Sequence, residues 1–266
     1  MGRPAYEERT LLVAFLVQQL LGLTFSRDRR CAGHGPPVLS PGARSGPLAL
    51  SRRLSSQRWT IVLERFFRHI VAALPKRSAV VATDATGYSG RKRGWQETKY
   101  AQRVIEDWVK VHAAIEVDEF IVLSYKLTDS SVHDSQMFEG VWNGLPENIR
   151  PIRSLADSAY HGEKCLATAR QHGATPLHKI KKNARDYEEP RTLYQKMVNF
   201  AHHWPQRFAV SAAKRNHAET VFSMIGVLLG YRLRYRSKNG RRNEVRVKLA
   251  LFNLIQLAMR KELWSN

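Results

Sequence analysis

The chain has 266 residues, 43% of them apolar, enough for one large or two small packed domains. Its 43 Lys and Arg against 23 Asp and Glu give a net charge of +20, which points to a polyanionic partner bound through phosphate contacts. Two cysteines, Cys31 and Cys165, exclude a zinc cluster or a disulfide framework, so any metal must use oxygen or histidine ligands.

Residues 6 to 23 read as an amphipathic helix, with Leu11, Leu12, Phe15, Leu16, Gln19, Leu20 and Leu23 at helical spacing. Its apolar stretch is too short to span a bilayer, and the acidic Glu7 and Glu8 before it argue against a signal peptide. No membrane association is expected, and the expected location is the cytoplasm, in association with the nucleoid. From Phe25 to Leu50 the periodicity stops: four Gly, four Pro and four Arg make a linker or a segment read out of frame. Helical pattern returns over 56–75 and closes at Pro75. The predicted organisation is therefore an N-terminal helix over 1–24, part of a DNA-binding helical region, the irregular 25–50, a helical 51–77 and a catalytic domain over 78–266.

Strands and helices then alternate. Ser78 to Thr83 is an apolar run suited to a buried strand that ends near Asp84. Lys110 to Val117 and Phe120 to Thr128 form a predicted hairpin around a tight Asp118-Glu119 turn. Asp134 opens a short helix as a carboxylate cap. Ile152 to Ala156 is a strand ending at Asp157, followed by a helix over 162–172, a strand over 175–180 and a long helix from about Asn216 to Leu229. The order argues for a mixed α/β sheet covered by helices.

Asp84 and Asp157 occupy matching settings, DATGY and DSAYHG, each after an apolar strand. Carboxylates at strand carboxyl ends face the crevice where open α/β sheets bind ligands. Two that meet there need a cation or a proton between them, and oxygen-only ligands select magnesium or manganese. Glu219 lies four residues after Arg215 and three before Phe222, on one helix face. An intrahelical ion pair above a core ring is the plainer reading of that face.

The blocks DATGY, KVH at Lys110 to His112, TDSSVHDS at Thr128 to Ser135, LADSAYHG at Leu155 to Gly162 and RNHAETVFSMIG at Arg215 to Gly226 resemble, in order and spacing, those of insertion-sequence transposases with an RNase H-like DDE domain. The resemblance runs from about residue 79 to the C-terminus. It implies an RNase H-like mixed sheet flanked by helices, preceded by a small helical N-terminal region. It also implies a metal-dependent transposase: Asp84, Asp157 and Glu219 as catalytic metal ligands, Mg2+ or Mn2+ as cofactor, and cutting and joining of double-stranded DNA at element terminal inverted repeats and target sites. A homodimer would bring two ends together. The spacing of 62 residues from Asp157 to Glu219 leaves little room for the large inserted domain of some relatives. One branch carries a tyrosine and a lysine where this chain has Ala212 and Gly226, which leaves its hairpin intermediate unsupported.

The eight cations of 231–248 suit a strand or extended segment tracking DNA, with Arg215, Arg232, Arg234, Arg236, Lys238, Arg241 and Arg242 as candidate contacts, and the last helix is predicted from Val245. His112, His133, His161 and His217 flank the motifs as framework residues, proton relays or phosphate contacts. Ser158 and Tyr160 beside Asp157 raise the option of a covalent nucleophile, which the carboxylate set makes unnecessary. Two other readings stay open: a metal-dependent nuclease of the same fold, and a decayed product that only binds DNA.

Overall fold

The computed structural model describes residues 8–21, 52–89, 108–181 and 183–264, with side chains considered as far as residue 260. The 25–50 stretch, Cys31 and the basic run at Arg91 to Arg93 lie outside these residues.

Five strands form one sheet in the order β3-β2-β1-β4-β5: β1 Arg77–Ser89, β2 Trp108–Glu116, β3 Ile121–Thr128, β4 Ile149–Ala156 and β5 Thr175–His178. β2 pairs antiparallel with both β1 and β3, whereas β4 pairs parallel with β1 and β5 with β4. This is the RNase H-like mixed sheet. Valines and alanines dominate its centre because β1 is covered on both faces, and Val81, Ala82, Ala113, Ala114 and Leu155 are fully buried.

The helices are α1 Glu8–Leu20, α2 Gln57–Ala72, α3 Asp134–Trp142, α4 Glu163–Gln171, α5 Leu193–His203, α6 Pro205–Ala212, α7 His217–Leu229 and α8 Lys238–Trp264. Side-chain alternation shows which helices cover which face. Thr83 and Ser124, both level with Ala114, meet α3: Trp142 Nε1 donates to Thr83 Oγ1 at 2.9 Å and Ser124 Oγ to the Val141 carbonyl at 2.6 Å. One residue on, Tyr125 meets Phe67 of α2 edge-on across the other face. The same step puts Asp84, in register with Ala113 and Tyr125, on the side of α2 rather than α3.

The two N-terminal helices pack on the C-terminal one. Leu11 and Phe15 of α1, Leu54, Trp59 and Leu63 join Tyr235 and Val247 in a cluster beside the main core. Thr60 Oγ1 donates to Asn243 Oδ1 at 2.9 Å, and Asn243 Nδ2 to the Leu54 carbonyl at 2.8 Å, so the seam is keyed by a satisfied buried amide.

Several expectations need correction. β1 does not end near Asp84 but runs five residues further, because β2 remains paired with it to Ser89 after β4 has left at Thr83 and Ala156. β4 begins at Ile149 and not Ile152; Pro151, which lacks a donor, is accommodated by a register shift opposite Ala79 and Val80. The hairpin turn spans four residues, 117–120, with Phe120 at φ 55°, instead of a tight two-residue turn. His133 takes the cap position of α3 in extended conformation, leaving the Asp134 carboxylate for other partners. The last helix starts at Lys238, seven residues before the expected Val245, so only 231–236 of the basic segment is extended. α5 and α6 had no predicted counterpart.

Candidate active site at the ends of β1 and β4

Asp84 sits where β1 loses β4 as a neighbour. The residue before it, Thr83, pairs with Ala156, and Asp157 follows Ala156 in the chain. The two aspartates therefore lie side by side where the parallel pairing of β1 and β4 ends and the strands part, a crevice of the kind in which open sheets bind ligands. Asp157 caps the short 3-10 turn Ser158–Tyr160, accepting from the Ser158 amide at 2.6 Å.

α7 brings the third acid to the same end. It packs against β1, and the 3-10 turn before it, Ala213–Asn216, lies against both β1 and β4. Glu219 occupies the first turn of α7, with its side chain 63% exposed and paired with Arg215 at 3.3 Å. Arg215 Nη2 also donates to Asn216 Oδ1 at 2.7 Å. The ion pair read from the i, i+4 spacing is thus formed, between the 3-10 turn and the first turn of α7.

The electrostatics tie the acids together. Burial raises the Asp84 carboxyl to about 6; the Ala85 amide opposes this, Glu219 adds to it, Arg215 opposes it and Asp134 adds to it. Asp157 is more open: burial raises it, but the Ser158 amide, Lys179 at 3.7 Å and Arg215 outweigh that and hold it below the ordinary value. Among the described residues no three His, Cys, Asp or Glu side chains stand close enough to hold one metal ion together. The donor set nonetheless fits a hard divalent cation: all its atoms are carboxylate oxygens, and Asp84 carries a half-buried charge that a cation would relieve. Glu219 turns its exposed side chain to Arg215 of the preceding 3-10 turn and still acts on the Asp84 charge.

Sequence reasoning read Asp134 only as a helix cap, and here it proves to be a fourth acid in the field of Asp84. Lys110 Nζ lies 2.6 Å from its Oδ1 and donates to the Val132 carbonyl at 2.9 Å, while buried His112 stands 3.5 Å from it and bonds Thr128 through Nε2 at 2.8 Å. The KVH and TDSSVHDS blocks are thereby one cluster, a relation visible in sequence only as two charged blocks. Burial drives His112 down to about 4, so it stays neutral near pH 7. Two other histidines also serve the framework: His161 Nδ1 bonds the Ser158 carbonyl, and His217 Nδ1 bonds the Val117 carbonyl and stacks on Phe120, whereas His133 holds the N-cap position of α3 without a side-chain capping bond. His178, not singled out from sequence, is buried between Ser154 Oγ and the Tyr160 carbonyl. Tyr160 is buried against Phe138, and burial with the nearby acids raises its phenol, which excludes it as an exposed nucleophile.

The basic segment reaches the same end of the sheet. Ser89 bridges to Arg232 and its carbonyl accepts from the Leu233 amide at 2.9 Å, five residues or roughly 17 Å along β1 from Asp84. Leu233 and Tyr235 point inward, leaving Arg232, Arg234 and Arg236 on the outer side. Buried Glu244 accepts from the Arg234 and Tyr235 amides, and buried Lys248 donates to the Gly230 and Arg232 carbonyls, so α8 clamps the segment. Lys238 and Arg242 are both drawn to Asp129, at 2.7 and 3.0 Å, and Arg241 donates to the Arg236 carbonyl. Gly226 and Tyr231 account for one departure from the family pattern. The Tyr231 ring lies over Gly226, where a Cβ would come within 1.9 Å of it, and its hydroxyl donates to the Ser223 carbonyl. The ring occupies the space that a lysine at 226 would need.

The strand order and pairing are those of an RNase H-like fold, with Asp84 and Asp157 side by side where β1 and β4 part. The transposase DDE domain family matches residues 75–254, more than half of the chain, and the chain belongs to that family. Among solved structures, the Mos1 transposase paired-end complex with left transposon end is 13% identical, with 94% of this chain and 79% of that chain covered at a TM-score of 0.27. A pre-cleavage Mos1 transpososome is 12% identical, with 97% and 80% covered at a TM-score of 0.25. No protein of curated function matches the chain. No helix among the described residues is long and apolar enough to cross a membrane.

Proposed function

We propose that this transposase cuts and rejoins phosphodiester bonds at the ends of an insertion sequence, with Asp84, Asp157 and Glu219 as the ligands of two divalent metal ions. The observation that carries the reading is the adjacency of Asp84 and Asp157 where the parallel pairing of β1 and β4 ends, with Glu219 on a helix packed on β1. Magnesium or manganese held there would activate the attacking oxygen and stabilise the leaving one. The protein's part is placement. Asp84 is fixed by pairing on β2 and by burial, Asp157 by the Ser158 amide, and Glu219 by the first turn of α7. Arg232, Arg234 and Arg236, clamped along the tail of β1, are positioned to take backbone phosphates of double-stranded DNA, the element's terminal repeats and the target. Lys238, Arg241 and Arg242 continue the basic surface along the start of α8, Lys238 and Arg242 paired with Asp129 and Arg241 bonded to the Arg236 carbonyl.

The test is a nicking and strand-transfer assay on duplexes carrying the repeats that flank the gene. Mg2+-dependent products are expected from the full chain. Asp84→Asn should reduce them by at least about a thousandfold, on the order of 4 kcal/mol of barrier. Equal activity in Asp84→Asn overturns the site.

A further inference from the structure

We infer that Arg215 is the internal counter-ion of the three carboxylates, and that its displacement makes metal binding and DNA binding cooperative. The inference rests on the metal-binding reading of Asp84, Asp157 and Glu219 given above. Three observations carry it. Arg215 is held in the 3-10 turn that touches both β1 and β4, the two strands that deliver the aspartates. Its guanidinium pairs directly with Glu219 at 3.3 Å and is steadied by Asn216. Its charge also acts on Asp84 and Asp157, so one cation serves all three acids. Lys179, by contrast, is 56% exposed and pairs with Asp157 only.

The consequence follows from charge balance. Three carboxylates without metal need positive charge, and Arg215 supplies it. A divalent ion supplies more, and once it is bound the guanidinium beside it is repelled and loses its partner at Glu219. A released arginine at the edge of a DNA site has an obvious new partner in a backbone phosphate, which it can bind through two parallel hydrogen bonds. DNA draws Arg215 outward and so leaves the acids open to metal; metal expels Arg215 and so offers it to DNA. Because both ligands favour the same displaced state, each must strengthen the other by the same factor.

Mn2+ affinity of the full chain, read from the free-ion electron paramagnetic resonance signal, tests this with and without a pre-cut end duplex that lacks its 3′-hydroxyl and cannot react. In the wild type the duplex should tighten Mn2+ binding roughly tenfold, the ordinary range of such coupling. Arg215→Gln should bind Mn2+ more tightly without DNA and gain nothing further from the duplex. Arg215→Lys, which keeps the charge, should retain the weak affinity of the wild type, and Lys179→Gln, which loses the same charge elsewhere, should retain the gain. If Arg215→Gln leaves Mn2+ affinity without DNA unchanged or weaker, or still responds to the duplex, the counter-ion role is wrong. Asp84→Asn separates the two readings: weakened Mn2+ binding in that variant upholds the metal site whatever Arg215 does, and unchanged binding overturns the site and the counter-ion together.

Discussion

The strand side and the helix side of the site hold their carboxylates in opposite ways. Asp84 is fixed within a paired strand and largely removed from water, and its carboxyl is raised to about 6 as a result. Glu219 stands on the first turn of α7, mostly exposed, and satisfies its charge locally with Arg215. One half is a rigid seat that stores unfavourable charge. The other is a side chain free to turn. A site built this way can keep its geometry fixed where the strands meet and leave its adjustable member at the rim.

The comparison is tested hardest at the clamp that positions the helix side. Glu244 and Lys248 are both fully buried, 3.8 Å apart, and hold the backbone of 230–235 between them. Glu244→Ala leaves Lys248 buried without its counter-charge, a loss of about 3–5 kcal/mol. Denaturant unfolding of the variant should show a lowered midpoint. Wild-type stability would mean that the segment is not held by this pair.

The strand side makes the opposite prediction. The Asp84 carboxyl has a folded value above its unfolded one, so the folded protein binds the extra proton between about 4 and 6. Stability from this group is present below pH 4, falls as pH rises through 6 and stays lost above it. Asp84→Asn removes the penalty. In the absence of metal it should stabilise the protein above pH 6 by on the order of 2–3 kcal/mol and change little at pH 4, while abolishing catalysis. A thermal melt at the two pH values reads the difference, and destabilisation at pH 7.5 would show that Asp84 is a structural residue.

Thr83 lies one residue away and shows how far the site depends on the sheet behind it. Its hydroxyl is the acceptor for the buried Trp142 indole at 2.9 Å. Thr83→Val leaves that N–H unpaired, at a cost of about 1–3 kcal/mol in an unfolding experiment. No loss would mean that α3 is held to the sheet by apolar packing alone.

What was legible in the sequence follows the same division. Asp84 and Asp157 announce themselves because each follows apolar strand residues, the run SAVVAT for one and Leu155-Ala156 for the other. The full length of β1 was not legible, since DATGYS has no apolar alternation and is kept extended by β2 and by the bridge from Ser89 to Arg232. The extended half of the basic segment was readable from Arg232, Arg234 and Arg236 alternating with Leu233 and Tyr235. The helix before Val245 was not, nor was the burial of Glu244, Arg246 and Lys248, which look like a solvated charge run until their partners are known: the amides of Arg234 and Tyr235, the carboxylate of Glu64 and the carbonyls of Gly230 and Arg232. Asp134 was hidden for the same reason, its partner Lys110 lying 24 positions away.

The smallest expected effect is the sharpest test of the helix side. An i, i+4 pair whose carboxylate is exposed contributes below about 0.5 kcal/mol, since solvent screens the Glu219 charge. Glu219→Gln keeps the size and polarity of the side chain and removes only its charge, so the melting temperature should hardly move while Mg2+-dependent cleavage falls as steeply as in Asp84→Asn. That combination separates a carboxylate retained for a ligand from one retained for its helix. If Glu219→Gln instead loses stability and keeps cleavage, the Arg215 pair is all that the residue is for, and the third acid of the site must be sought elsewhere, with Asp134 the next in the field of Asp84.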